Sequence, residues 1–523
     1  MSMKKHLLLV VPLFGLFSLL KSQEIEWQKS LGGAQEEYLF DAIPTLDYGY
    51  IVAGSSVSSS SGTKELHSYG NLDYWIWKMK ENGDLEWEQN LGGAGNDFLR
   101  SIRYTSDGGY ILGGSSDSPI NEVKTDSCRG KQDYWVVKLD AFGATQWQRT
   151  LGGSEDDQLE VIRPLSDNEG YILAGTSSSS NHFEKEEETR GNTDYWIVKI
   201  NASGATLWQK TLGGNYADQV KGLEVLPENK GYIVYGYSNS TISGDKETKN
   251  HGLGDVWVVR LTSEGEVLWQ ENYGGKGDDI PTSLQITEEG NYVLLGYSNS
   301  NTEEGMDYWL MEFDDLGSIH FEETYNVGTT DIATGLTKNK DHSYLISGYT
   351  RTNYKNTNGQ ESKGIEDYVV LKVDKRGKKQ WERQIGGKGS DRLLNTVQTR
   401  DGGYLLSGTS NSNANRDKSE RSNGLKDYWV VKLKDEAVDV EEIEEDRSIQ
   451  LYPVPTERYL TVVVPYDFQQ GSAHIYDYAG RLLQSQELKS RTEVLDLLAL
   501  GSGLYIIKIQ TEKEEVSKKI IKK

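Results

Sequence analysis

The chain has 523 residues and a formal net charge of -24, long enough for a large domain plus a smaller one and too acidic for a partner presenting phosphates or an anionic membrane face. Its single cysteine, Cys128, excludes an internal disulfide and any multi-cysteine metal site. Neutral ligands, cations and basic partners stay open.

Residues 1–22 read as a secretory signal peptide: Lys4 and Lys5 are its basic region, Leu7 to Leu20 its apolar run, and cleavage after Ser22 leaves Gln23 as the first mature residue. The run is short for a membrane anchor, and no other segment could span a bilayer. No cysteine lies near the cleavage site to carry a lipid anchor.

From residue 27 the chain repeats. WQKSLGG (27–33) recurs as WEQNLGG (87–93), WQRTLGG (147–153), WQKTLGG (208–214), WQENYGG (269–275) and WERQIGG (381–387), with a weaker copy, FEETYNVG, from Phe321. The aromatic positions are spaced by 60, 60, 61, 61, 52 and 60 residues, and a period of that size marks a repeat architecture. A second signature starts at Asp73, Asp133, Asp194, Asp255, Asp307, Asp367 and Asp427, as in DYWVVKL, a β-branched and aromatic run of strand length. Two more strand candidates separate the signatures, as in LRSIRYTSDGGYILGGSS (99–116), with a hairpin turn at Asp107-Gly108-Gly109.

Four antiparallel strands repeated seven times, with no helical period, predict an all-β fold: a seven-bladed β-propeller over 23–434. The first Trp strand has no blade before it, and the seventh blade stops at Leu433 without its outermost strand. The N-terminal strand is therefore expected to close the ring and leave no terminal edge open. Twelve of the thirteen tryptophans sit in the signatures, with Trp77 the extra, and such regularity suits packing between blades better than a stacking platform for sugars.

An acidic residue follows each GG pair by four positions: Glu37, Asp97, Asp157, Asp218, Asp279 and Asp391, with Asp331 in the weak copy. Two readings are open: a ring of carboxylates around one mouth of the channel, able to attract a cation, or seven turn-forming side chains accepting from their own backbone N–H groups. Blade-to-blade variation concentrates instead in the loops before the DYW strands, such as 57–72, 117–132, 178–193, 238–254 and 410–426. They share a face with the GG crossovers, and that face is the candidate binding face for a glycan or a protein. Catalytic patterns are missing: the histidines are scattered, and HExxH, GxSxG and metal-ligand spacings do not occur. No catalytic residue, metal or cofactor is assigned.

After Leu433 the character changes. Residues 435–448 are an acidic linker, and 449–523 form a second β-rich module without the repeat signatures. Tyr452-Pro453-Val454-Pro455, Tyr476-Asp477-Tyr478-Ala479-Gly480-Arg481, Gly501-Ser502-Gly503-Leu504-Tyr505 and the closing run with Lys518 and Lys519 resemble the type A C-terminal sorting domain of type IX secretion substrates of Bacteroidetes, with Val454 where the family usually has Asn. The resemblance implies a small β-sandwich read by the outer-membrane translocon and its sorting protease, with surface attachment or release to follow. The repeats likewise resemble the SGDxxGNHGGxDYWVVKL and LGGSGDD repeats of secreted Bacteroidetes proteins, best in 243–261, a likeness that implies an architecture and no activity. The GxxxW outer strand is also similar to that of quinoprotein propellers, whose cofactor ligands have no counterpart here.

The reading is a secreted, monomeric propeller acting as a binding module at the cell surface, free of nucleic acid. A carbohydrate-active enzyme, with carboxylates peculiar to one or two blades facing the channel, and a passive surface protein are the alternatives.

Overall fold

The computed structural model describes residues 23–166, 169–300, 305–351, 364–434, 448–456 and 458–523. The signal peptide, linker residues 435–447 and the loop segments 301–304 and 352–363 lie outside the described residues.

The described residues are all-β, with a short 3-10 turn at Pro227–Asn229. Between Ile25 and Leu433 the strands form seven antiparallel four-stranded sheets. The first is made of Glu37–Pro44, Tyr50–Ser56, Asp73–Met79 and Leu85–Leu91, in chain order, and the next five repeat that order. The seventh combines Asp391–Gln398, Tyr404–Ser410 and Asp427–Leu433 with Ile25–Leu31, whose Leu31 stands opposite Tyr428 and Trp27 opposite Lys432. The arrangement is propeller-like.

Burial follows from each strand's place in its sheet. Tyr50–Ser56 and Asp73–Met79 are buried along their whole length, because neighbouring sheets cover both faces, and their sequences accordingly lack the polar alternation of a half-exposed strand. The outer strand, Leu85–Leu91, is half-buried and reads as alternating apolar and polar. Tyr74 packs on Trp135 with ring centroids 4.6 Å apart and donates its hydroxyl to the Trp135 carbonyl, so one side chain supplies both area and a satisfied hydrogen bond between sheets. The first sheet packs on the second through Ile76, Ile102 and Trp135, and on the seventh through Val52, Trp75 and Tyr428. Each fully buried ring contributes about 2–3 kcal/mol of transfer free energy.

The innermost strand of every sheet carries a β-bulge near its start, after the third residue in six of them, as between Leu39 and Asp41 and between Val220 and Gly222, and after the fourth, Ala333, in Thr330–Lys338. A bulge re-aims the residues around it. Here it turns Phe40, Arg100, Glu160, Lys221, Thr282, Thr334 and Leu394 toward the space that the seven innermost strands enclose.

Residues 450–522 form a three-stranded sheet (450–452, 459–463, 492–496) and a four-stranded sheet (482–488, 471–476, 503–511, 515–522) around one core of Ile449, Leu460, Val462, Ile475, Ile507 and Ile509. This module touches the short-turn face of the first two sheets: Arg491 pairs with Glu81 at 3.2 Å, and Tyr459 meets the edge of Phe142 at 5.2 Å.

Candidate functional site

The GG crossovers are built around buried carboxylates. Asp97 accepts from Gly93 N (2.8 Å) and Ser118 Oγ (2.8 Å), and Asp157, Asp218, Asp279 and Asp391 each make the same two bonds at 2.7–2.8 Å. Glu37 accepts from Gly33 N and Ser56 Oγ, and Asp331 from Val327 N. All seven are at most 1% exposed, and none lines the central cavity. The aspartate that opens each DYW strand lies beside them: a Cβ at Gly92 would stand 2.0 Å from Asp73 Oδ1 and 2.9 Å from Asp97 Oδ2. Two carboxylates thus pinch Gly92, whereas the weak copy holds Asn326 at the same position, its amide donating to Asp307 at 2.8 Å. Burial pushes Asp97, Asp133, Asp194 and Asp331 up to about 6.

A countercharge sits above these pairs. Lys64, Lys124, Lys185, Lys246 and Lys418, each nine residues before the aspartate of a DYW strand, fold back under the long loops and are at most 1% exposed. Lys246 Nζ donates to Asn272 Oδ1 at 2.8 Å and lies 5.6 Å over the Trp257 ring; Lys185 donates to Thr211 Oγ1 and lies over Trp196. Burial lowers Lys64, Lys185, Lys246 and Lys418 to about 8. The loops of the first four sheets and the seventh are therefore pinned to the sheets below, and with their neighbours they hold apolar side chains in solvent, among them Ile120, Phe183, Ile242 and Leu253, all more than half exposed. Sequence reasoning missed these lysines; their fixed distance from the DYW aspartate was the available signal.

The seven innermost strands enclose a cavity of about 430 Å³. Its wall is uneven. Asp41, Arg103, Arg163 and Glu224, one from each of the first four sheets, form a row in which Arg103 pairs with Asp41 and Arg163 makes a two-pronged bond to Glu224 (3.1 and 2.7 Å). Beside them Arg100 stacks on Phe40 at 4.4 Å and faces Glu160 at 3.9 Å. Tyr235 reaches the cavity over Gly222, where a Cβ would stand 2.1 Å from its hydroxyl. The fifth to seventh sheets contribute neutral side chains such as Thr282, Gln285, Thr337 and Asn395, and one cation, Lys338. Sequence reasoning did not single out this row.

Among the described residues no group of three or more His, Cys, Asp or Glu is placed to hold a metal ion. Cys128 donates to the Ser116 carbonyl at 2.9 Å, and burial pushes its thiol up to about 11. In the C-terminal module Asp477 accepts from Ala479 N and Arg481 N and pairs with the Arg481 side chain, with Gly480 at φ +79° completing the turn. Tyr505 donates to the Gly501 carbonyl at 2.7 Å, just before Gly503, and Lys518 and Lys519 stand opposite Ile507 and Ile506 in the closing hairpin. Tyr452 is half-buried, and the Gly108 turn of the second sheet approaches Pro453; Pro455 lines a neighbouring cleft with Tyr459. Tyr476 closes its strand at a register shift opposite Leu482.

Residues 450–523 match a secretion system C-terminal sorting domain. That domain supports export as a type IX secretion substrate, places the protein at the cell surface or in the extracellular space, and implies contact with the type IX machinery. No helix among the described residues is long and apolar enough to cross a membrane. The chain is similar to an uncharacterized WD repeat-containing protein of Acanthamoeba polyphaga mimivirus (23% identity; 35% of this chain, 15% of the relative) and to the regulatory protein FlaEY of Caulobacter vibrioides (24%; 45% and 27%). It thus spans well under a third of either relative. Among solved structures it is similar to puromycin hydrolase (10% identity, 82% of this chain and 59% of the other, TM-score 0.45) and to Kuenenia stuttgartiensis hydrazine synthase (11%, 59% and 74%, TM-score 0.38).

Proposed function

We propose that the seven sheets are the blades of a closed seven-bladed β-propeller over residues 23–434, joined by the linker 435–448 to the sorting module 449–523, and that the propeller is a binding module displayed outside the cell. A glycan or protein ligand docks on the long-loop face. The observation that carries this reading is the buried lysine under five long loops: it pins them while they hold apolar side chains in solvent, and a pre-ordered surface loses less entropy on binding than a mobile one. Catalysis is disfavoured by the cavity's own carboxylates, since Asp41, Glu160 and Glu224 each face an arginine, an arrangement that holds charge in place rather than moving a proton.

The test is binding of the full chain to arrayed glycans and to cell-surface extracts, with a parallel assay for depolymerisation. Saturable binding that weakens about tenfold or more in Phe183→Asp and Ile242→Asp is the expected result. Product release would replace the reading with an enzyme, and indifference to both substitutions would remove the long-loop face from consideration.

A further inference from the structure

The central cavity is distinct from the long-loop face, and its chemistry is more specific. Its lining holds five cationic side chains, Arg100, Arg103, Arg163, Lys221 and Lys338, against the three carboxylates Asp41, Glu160 and Glu224, an excess of positive charge inside a chain whose net charge is -24. The order around the wall concentrates that excess. Running from the first sheet to the fourth, the charges are Asp41, Arg103, Arg163 and Glu224, so the two guanidiniums are neighbours and each carboxylate stands on the outer side of its own arginine.

Arg103 and Arg163 nonetheless keep 28% and 17% of their side chains accessible. Burial, and after it the charge of Arg163, holds the Arg103 guanidinium below its usual range, while against burial Glu224 holds Arg163 above its own. Lys221, on the same strand as Glu224, is half-buried on this wall.

The opposite wall has the complementary character. Thr282, Gln285, Thr334, Thr337 and Asn395 present hydroxyl and amide groups, with Lys338 the one charge among them and Asn395 donating to Asp41 at 2.9 Å. Several polar atoms of the lining are buried without a hydrogen-bond partner: Ser101 Oγ, Thr334 Oγ1, Thr396 Oγ1 and Asn395 Oδ1. Ser101 and Thr396 are only 2% and 6% exposed, so these atoms lie behind the cavity surface rather than on it. One pole of the cavity is thus suited to an anion, and the other to a body rich in hydroxyls.

We infer that the cavity binds a polyhydroxy carboxylate, an acidic sugar, with its carboxylate at Arg103 and Arg163 beside Lys221 and its hydroxyls toward the threonine and amide wall. Guanidinium groups recognise carboxylates through paired, charge-assisted hydrogen bonds, and the cavity of about 430 Å³ has room for one sugar ring with water around it. Two sources carry this chemistry, a free acidic monosaccharide and the end residue of an acidic polysaccharide.

The experiment is calorimetric titration of the full chain at low salt with D-galacturonate, trigalacturonate, D-galactose and acetate. Galacturonate is expected to saturate one site, with galactose and acetate each about tenfold weaker or worse, since each offers only half of the recognised chemistry. Lys221→Gln, which removes one cation from the wall, weakens galacturonate about fivefold, and the double variant Asp41→Asn with Arg103→Gln, which removes charge and countercharge together, about tenfold. Ile242→Asp on the long-loop face leaves it unchanged, so loss of the binding-face reading and loss of this one are separable. Trigalacturonate binding more tightly than the monomer assigns the polymer end, and monomer binding alone assigns the free sugar. No saturation by about 10 mM galacturonate, equal affinity for galactose, or indifference to both cavity variants overturns the proposal.

Discussion

The Tyr428 hydroxyl donates to the backbone carbonyl of Trp75 at 3.3 Å, across 353 positions of the chain. Tyr74, Tyr134, Tyr195 and Tyr368 make the same bond to the tryptophan of the next sheet at 2.9–3.1 Å, so the bond from the last sheet to the first is of one kind with those inside the series. Removing the hydroxyl deletes one buried hydrogen bond between sheets, worth about 1 kcal/mol. Tyr428→Phe and Tyr134→Phe are expected to lower the urea midpoint by similar amounts. A Tyr428→Phe variant that matches the parent while Tyr134→Phe does not would show that the first and last sheets are not in stable contact.

The pinched glycine predicts an unusually sensitive position. Gly92→Ala places a methyl group within 3 Å of two carboxylates, Asp73 and Asp97, both fully buried. Repacking there is expected to cost about 2–3 kcal/mol or prevent folding, whereas Gly290→Ala, at a turn with open space around it, costs about 1 kcal/mol for its positive φ. Equal midpoints for the two variants would contradict the carboxylate clamp.

Lys246→Met replaces the cation beneath the 238–254 loop with an apolar chain of similar length. The loop loses one of its three anchors to Asn272, keeping those of Thr248 and Asn250, while the sheets below keep their own packing. Limited proteolysis is expected to cut within 238–254 in the variant well before the parent, and a parent loop cleaved just as fast would remove the pinning role.

The buried carboxylates make stability depend on pH in a stated direction. Asp97, Asp133, Asp194 and Asp331 rise from 3.8 to about 6 on folding, so their contribution is fully present below 3.8 and is lost as pH rises through about 6. The lysines lowered to about 8 act oppositely: their contribution is fully present above 10.5 and is lost as pH falls through about 8. Asp97→Asn is uncharged at every pH. Relative to the parent it is expected to be more favourable at pH 7.5 than at pH 5, by on the order of 1 kcal/mol, and a difference independent of pH would mean that Asp97 titrates normally in the folded state.

Removing residues 450–523 takes away the sorting domain while leaving the seven sheets intact. In the native host, full-length chain is expected at the cell surface or in the medium and the truncated chain inside the outer membrane, read by surface proteolysis and fractionation. Equal surface exposure of the two would show that the C-terminal module is not what directs export.

The four-strand unit was legible because its signals are local: strand-length apolar runs, DG turns and a period near 60 residues each specify one element. The pairing of Ile25–Leu31 with Asp427–Leu433 was legible by counting, since one Trp strand stood alone at the front. The acidic positions were easy to find and hard to interpret. Glu37 and its equivalents look like a ring in one dimension, but their partners, the second glycine's N–H and a serine two residues beyond the second strand, show up only once the turns are built. The cavity was less legible still. Arg103, Arg163 and Glu224 occupy the same position of successive inner strands, and what makes them a row is a bulge, which leaves no mark in hydrophobic alternation.

The strand 25–31 also imposes an order in time. It leaves the ribosome before any other strand described here, yet its ladder partner among the described residues is Asp427–Leu433, which emerges last before the linker and the sorting module. Until residue 433 has cleared whatever channel carries the chain, the first strand has nothing to pair with and the last sheet has an unpaired edge. A chain built this way finishes its largest sheet array only when nearly all of it has arrived on one side of a membrane.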